Sequence, residues 1–564
     1  MSSMLLVLCL CFVMPLSLTS AAELVDGDDI YDLAVVEEYK TRRPEPPLEI
    51  QDVIFNFNGV ENVKMNSALT GEHSQSSTRT RFGVHGTDIG AAVTVGDQTL
   101  YLFGDTFSQK PQGGRWRSNF LAFSTDTDPT DGIYLDRVYE HANKTNFIGS
   151  ADEIVKSQAW YRENGGLSGG RYTVRLGEMN YSVSTSILTG GFYIEETDTI
   201  YVTYMAINRF GNAGQWFIEF GSMVKSEDGG DTWDFVYDVY WEGNLYRWYN
   251  STSDNAYYNS ISRSIGFEQL CPVDGNDGYI YFFGIPGGRF GASKLMRAPY
   301  AGVEVQDSYE YLTGYEEDGS PIWKTQAEGG LVDAIVINIP GPIGEMSVMY
   351  SDYLGEWLIT YLEEFGDYLG DWGSMRMVAA KELWGPYSVP QHTATHDTYP
   401  QPYGAFMIPT YQSADSSKIY YVMSLWGNGR QWNDGGRNPV GCPGGNHNAE
   451  GTICPVCGSD GLLYNTFVME MDLVKREIVD LETTKTEFVS MVETSPRVWT
   501  LSFYATKTYS DGQSVRYLHS IDLPGNNANQ DGKVALDGEY KGFTLVYDIK
   551  GNGSNIKALA FLLT

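Results

Sequence analysis

The chain has 564 residues and carries 72 acidic against 38 basic side chains, a formal charge of −34. That charge repels nucleic acid and anionic membrane surfaces, so DNA and RNA are excluded as partners. Aromatic residues make up 14%, with 39 Tyr and 62 Gly, while long amphipathic helical windows are scarce, which is the composition of a large β-rich protein.

In chain order, Met4 to Leu18 is an apolar run too short to span a bilayer comfortably, and Ser20-Ala21-Ala22 supplies the small residues of a cleavage site. Residues 1–22 therefore read as a signal peptide and the product as secreted, with no membrane span in the later sequence. Residues 23–50 are acidic and end in Arg43-Pro44-Glu45-Pro46-Pro47, an extended linker. From 51 to 484 short runs of β-branched and aromatic residues alternate with turn clusters, among them FLAFSTD at 120–126, TIYVTYMAI at 199–207, YIYFFGIP at 279–286 and KIYYVMSLW at 418–426. Strand-and-turn units repeated over several hundred residues predict an all-β propeller or large sandwich.

Ser226-Glu227-Asp228-Gly229-Gly230-Asp231-Thr232-Trp233 matches the Asp-box pattern S-x-D-x-G-x-T-W and favours the propeller. Its expected role is structural, with Asp228 bonding the turn backbone and Trp233 packing beneath it. Residues 485–564 still alternate like strands around the polar PGNNANQDGK, and predict either a small β region or the strands that close the ring.

The candidate chemistry lies in one hairpin, Phe82 to Phe107, FGVHGTDIGAAVTVGDQTLYLFGDTF. Two strand-like runs flank Gly96-Asp97, the signature of a two-residue type II′ turn. With Val95 facing Gln98, counting outward sets Asp88 opposite Asp105, on one face with β-carbons about 4.5 to 5.5 Å apart. A retaining glycosidase needs two carboxyl groups roughly 5 to 5.5 Å apart, one as nucleophile and one as acid/base. A bulge would displace this register, and both aspartates also fit ordinary strand-end turns.

The sequence resembles the endo-D-arabinofuranases of glycoside hydrolase family 183. The likeness is carried by Ala68-Leu69-Thr70-Gly71, GTDIG at 86–90, FGDTF at 103–107, Trp116-Arg117-Ser118-Asn119, Gly211-Asn212-Ala213-Gly214-Gln215-Trp216 and Phe267-Glu268-Gln269. It continues through Pro286-Gly287-Gly288-Arg289-Phe290-Gly291, Gly344-Glu345-Met346-Ser347, Tyr403-Gly404-Ala405-Phe406, Ser424-Leu425-Trp426 and Tyr464-Asn465. The resemblance implies a five-bladed propeller whose axial pocket cleaves internal α-linkages of D-arabinan with retention. It also implies Asp88 and Asp105 as the catalytic pair, with Asp88 as nucleophile and Asp105 as acid/base.

Five further residues are candidates for binding sugar. Asn119 and Gln269 are neutral groups suited to hydroxyls, or else satisfied core amides. Arg289 either reaches the pocket or makes an interblade salt bridge, and Glu345 is a third pocket carboxylate or a turn residue. Trp426 stacks on a sugar face or packs inside a blade. The insertion at 427–463 holds Cys442, His447, Cys454 and Cys457, a local disulfide or a Cys₃His zinc site, with the disulfide preferred in a secreted chain. The chemistry requires no cofactor; a structural zinc or calcium ion stays open. The rival readings are a furanosidase on another polysaccharide and a glycan-binding propeller without activity.

Overall fold

The computed structural model describes residues 53–563 apart from 73, 110–113, 141–150, 164–169, 212–213, 244–263, 364–373, 396–397, 400–401, 427–463 and 526. The expected signal peptide and linker, and the insertion with Cys442, His447, Cys454 and Cys457, lie outside the described residues. Among the described residues no helix is long and apolar enough to cross a membrane.

Strand β1 (Phe57–Ala68) comes first in sequence and last in the ring. The first blade is β2 (Gly86–Val95), β3 (Gln98–Phe107), β4 (Phe120–Ser124) and β5 (Arg137–Val138), paired in that order. A small hairpin, β6 (Tyr172–Leu176) and β7 (Met179–Val183), precedes the second blade of β8 (Thr185–Ile194), β9 (Thr199–Phe210), β10 (Trp216–Ser226) and β11 (Asp234–Glu242). The third blade has five strands, β12 (Gln269–Asp274), β13 (Tyr279–Ile285), β14 (Lys294–Pro299), β15 (Glu310–Tyr315) and β16 (Pro321–Thr325). The fourth holds β17 (Met346–Ser351), β18 (Glu356–Glu363), β19 (Ser374–Ala380) and β20 (Gln391–Ala394). In the fifth, β21 (Pro402–Met407), β22 (Lys418–Leu425) and β23 (Asn465–Lys475) are completed by β1, which pairs antiparallel with β23. The innermost strands β2, β8, β12, β17 and β21 pack on one another in cyclic order, so the fold is a five-bladed propeller.

Apolar layers fill the spaces between blades. Phe192, Met223 and Phe282 lie between the second and third, Phe283, Ile359 and Val378 between the third and fourth, and Leu358, Met377 and Tyr421 between the fourth and fifth. Because both faces of each blade are covered, inner strands read as near-continuous apolar runs, as TIYVTYMAI does, rather than as alternating ones.

The strands after the propeller pair only with one another. β24 (Ile478–Ser495), β25 (Val498–Tyr509) and β26 (Ser514–Pro524) form one sheet, and β27 (Gln530–Ala535), β28 (Phe543–Lys550) and β29 (Asn555–Leu563) another. They share a core built on Leu481, Met491, Phe503, Leu545, Ile549 and Phe561. Residues 478–563 thus form two sheets of their own, and β1 supplies the fourth strand of the fifth blade.

Every inner strand runs away from the same rim of the propeller. Antiparallel pairing then brings the ends of β3, β9, β13, β18 and β22 back to that rim, where the intervening loops open. The Gly96-Asp97 turn and the Asp box between β10 and β11 lie at the opposite rim. There Asp228 accepts from Ser226 Oγ (2.8 Å), Thr232 N (2.9 Å) and Thr232 Oγ1 (2.6 Å), and Trp233 Nε1 donates to Gly230 O, so the motif is a self-contained turn.

Candidate active site

The predicted register holds at both ends of the first hairpin and breaks in the middle. Val95 faces Gln98 and Ala91 faces Leu102, Thr87 faces Thr106 and Gly86 faces Phe107, but Ile89 faces Phe103, one position out of step. Gly90 bulges from β2, and Asp88 then stands against both Gly104 and Asp105. Ile89 (φ 68°) and Gly90 (φ 93°) are left-handed, a costly conformation for a β-branched residue. Glycine is required at position 90, because a β-carbon there would lie 2.5 Å from Val422 Cγ1. The simple expectation of directly opposed aspartates is thus corrected: paired bulges swing Asp88 over Gly104, whose missing β-carbon makes room for Asp88 Oδ1.

The two carboxyls have different surroundings. Asp88 is buried and accepts two phenolic hydroxyls on one oxygen, Oδ2, from Tyr403 (3.0 Å) and Tyr464 (2.8 Å). Its Oδ1 is buried with no hydrogen-bond partner among the described residues. Burial pushes Asp88 up to about 6, opposed by the hydroxyls of Tyr464 and Tyr403; Glu345 adds to the rise and Arg289 counters it. Asp105 is half-buried and accepts one bond, from Trp116 Nε1 to Oδ1 (2.8 Å). It is pushed up to about 8 by burial and then by the neighbouring Asp88, against the Trp116 bond, with Glu153 raising it further. The two titrate as a coupled pair, in which the proton is held more firmly on Asp105. Burial, and then the charge of Asp88, raise both tyrosines well above the usual phenol range, so they remain O–H donors.

Each of these partners comes from a different part of the ring. Tyr403 is the second residue of β21, and Gly404 (φ 63°) bulges after it. Tyr464 precedes β23, is itself left-handed (φ 49°), and its carbonyl accepts from Thr87 N (2.9 Å) beside Asp88. Phe107 and Trp426 meet the Tyr464 ring edge-on, at 5.5 and 5.7 Å between centroids. Trp426 is 41% exposed.

The other sugar-binding candidates fare differently. Asn119 is fully buried, donates to Ser118 Oγ, Val155 O and Ser186 O, and accepts from the amides of Ile154 and Val155. It ties the first blade to the second, and its hydroxyl-binding role is corrected to a structural one. Arg289 and Glu345 are buried and face each other: Arg289 Nε is 3.1 Å from both Glu345 oxygens and Nη2 is 2.8 Å from Oε1. This is an interblade ion pair, with Glu345 at the bend that leads into β17. Gln269 opens β12 at the site rim, buried, with Oε1 lacking a partner among the described residues, so it keeps an open acceptor.

Sequence reasoning cited Trp116, Tyr403 and Tyr464 within motifs without assigning them roles, and missed Glu153. The buried Glu153 carboxylate accepts from Ser118 N (2.8 Å), Ser157 N (2.6 Å) and Ser157 Oγ (2.8 Å), which anchors the loop that carries Trp116. Among the described residues no group of three or more His, Cys, Asp or Glu is arranged to hold a metal ion.

Fold and site together define an all-β propeller with an asymmetric aspartate pair, one member buried and the other half-buried, at one rim. The chain belongs to the family described as Domain of unknown function (DUF4185), whose model matches residues 73–433. No curated protein matches the sequence. Among solved structures it is similar to an N-acetylgalactosamine deacetylase from F. plautii (11% identity, 74% of this chain and 95% of that one, TM-score 0.37). It is also similar to an exo-β-1,3-galactanase from Phanerochaete chrysosporium (8%, 83% and 94%, TM-score 0.36) and to a family 43 β-1,3-galactosidase (9%, 73% and 96%, TM-score 0.35).

Proposed function

We propose that the chain is a carbohydrate-active hydrolase, specifically a secreted, retaining endo-glycosidase that cuts α-D-arabinofuranosyl linkages inside D-arabinan. The observation that carries this reading is the asymmetry of the aspartate pair. One carboxyl has a single oxygen clamped by two hydroxyls and the other oxygen bare, and its neighbour holds a proton into the neutral range.

In the first step Asp88 Oδ1 attacks the anomeric carbon as the bond to the glycosidic oxygen breaks, and the Asp105 proton passes to that departing oxygen. In the second, water attacks the same carbon, Asp105 takes its proton, and the bond to Asp88 breaks. Two inversions give net retention. The chemistry draws on the two carboxyls and water. Tyr403 and Tyr464 hold Asp88 as a carboxylate by donating to the oxygen that does not attack. The position of Asp88 over Gly104, next to Asp105, favours the close spacing of a double displacement over the wider gap that seats a water. Trp426 and Gln269 supply a stacking face and an acceptor for furanose rings on either side of the cut. D-arabinan as the polymer rests on the likeness to the family 183 enzymes.

The test incubates the purified chain with mycobacterial arabinogalactan beside Asp88→Asn and Asp105→Asn, and follows released oligosaccharides by chromatography and the anomer first formed by NMR. A ladder of arabino-oligosaccharides with retained configuration, absent from both variants, is expected. A wild-type chain that releases nothing overturns D-arabinan; release from another furanose polymer would keep the hydrolase, and retention of intact oligosaccharide without cleavage would make it a binding module.

A further inference from the structure

The Arg289–Glu345 pair lies between four blades. Arg289 is on the loop between β13 and β14, and Glu345 directly precedes β17. The Arg289 amide donates to Gly214 O (2.9 Å), and its side chain passes close to two glycines: β-carbons at Gly214 and Gly344 would sit 3.3 and 3.1 Å from it. The guanidinium carbon is 5.2 Å from the centre of the Trp216 ring and 4.8 Å from that of Tyr403, the tyrosine that donates to Asp88. A cation against a phenol ring makes the hydroxyl a stronger donor, so Arg289 acts on Asp88 through Tyr403 as well as through its field.

Among the described residues, the charged and titratable groups around Asp88 are Asp105 on β3, Arg289 from the third blade, Glu345 from the fourth, and Tyr403 and Tyr464 from the fifth. Arg289 is the cation among them. A guanidinium one residue away from a buried carboxylate, across the ring of the tyrosine that bonds it, can fork onto that carboxylate, and a carboxylate captured in that way is a poor nucleophile. Here the fork is occupied by Glu345, and the Asp88 attacking oxygen stays bare.

We propose that Glu345 is a positioning residue that holds Arg289 away from Asp88, so that the arginine polarises Tyr403 without capturing the nucleophile. The inference rests on Asp88 being the nucleophile. Glu345→Gln takes the carboxylate away from Arg289 Nε and Nη2 and lets that edge of the guanidinium turn toward Asp88. The expected result is a fall in kcat of about tenfold or more and a displacement of the acidic limb of kcat/KM to lower pH by about 0.5–1 unit. The double variant Arg289→Met/Glu345→Gln removes the competing cation; it should regain most of the lost kcat, and its acidic limb should lie above that of Glu345→Gln.

A merely structural ion pair predicts the reverse order, with the double variant no better than the single one and neither limb moved, and that outcome overturns the proposal. A readout without substrate accompanies it: the pH dependence of the Tm difference between each protein and the same protein carrying Asp88→Asn reports Asp88 ionisation directly. An unchanged midpoint in Glu345→Gln also overturns the proposal. An inactive wild type would instead count against the hydrolase reading, while the stability titration still decides the Arg289–Glu345 question.

Discussion

The two rims of the propeller use the same residue to opposite ends. At the turn rim, the half-buried Asp126 and the exposed Asp128, Asp136 and Asp228 accept from nearby amides and hydroxyls, as where Asp128 takes Thr130 N and Thr130 Oγ1. Those bonds hold the Asp128 carboxyl below its ordinary value. At the site rim, Asp88 and Asp105 are raised, because burial, with the charge of Glu345 acting on Asp88 and that of Asp88 acting on Asp105, outweighs the few donors that reach them. An aspartate supplied with donors by its own turn is a structural device. One lifted from water and given distant donors holds a proton where chemistry can use it.

The largest effect that would sharpen this contrast is on turnover. Asp88→Asn and Asp105→Asn should each lower kcat by roughly 10³-fold, whereas Asp228→Asn at the other rim should leave kcat/KM unchanged; progress curves on the same polymer compare them. Next comes Gly104→Ala, whose added methyl meets Asp88 Oδ1 and lies 2.8 Å from Ile89 Cγ1. It should displace the nucleophile and cost about 10²-fold in kcat with the circular dichroism of the fold retained.

A third expectation concerns pH. Activity should follow a bell with limbs near about 6 and about 8, set by loss of a proton from Asp88 and then from Asp105. Both pKa values are raised on folding, so the folded chain keeps protons the unfolded chain has released. The stability this gives is fully present below the ordinary carboxylate range and is lost as pH rises through 6 and 8. Asp105→Asn should therefore melt several degrees above wild type at pH 8 and together with it near pH 3, as thermal scans across the range would show. The smallest effect is Asp228→Ala, which removes the acceptor of the Asp-box turn and should lower Tm by a few degrees with no change in the limbs of the pH profile.

How much of this was legible in the sequence follows from the reach of each interaction. The turn rim was readable because its bonds are local: Gly96 with positive φ, a two-residue loop between Val95 and Gln98, and an Asp box whose partners lie within a few residues. The aspartate pair was readable because one hairpin carries both members. The bulge between them was not, since Gly90 is pinned by Val422 and Ile89 O is bonded by Ser424, residues of the fifth blade. Likewise Tyr403 and Tyr464 are 315 and 376 residues from Asp88 along the chain. Asn119 misled for the complementary reason: its acceptors, at Val155 and Ser186, come from segments that periodicity does not bring together.

The pairing of β1 with β23 makes completion of the fold and arming of the site a single event. Ala68 pairs with Phe467, and Thr70 bonds Asn465 and Thr466 immediately beside Tyr464. The clasp that shuts the ring therefore also seats the tyrosine hydroxyl on Asp88. A chain emerging in order from its N-terminus carries both aspartates early but lacks this donor until nearly all of the propeller has been made. The clasp thus works as an interlock, and under the proposed function cleavage activity would serve as an assay for a correctly latched ring.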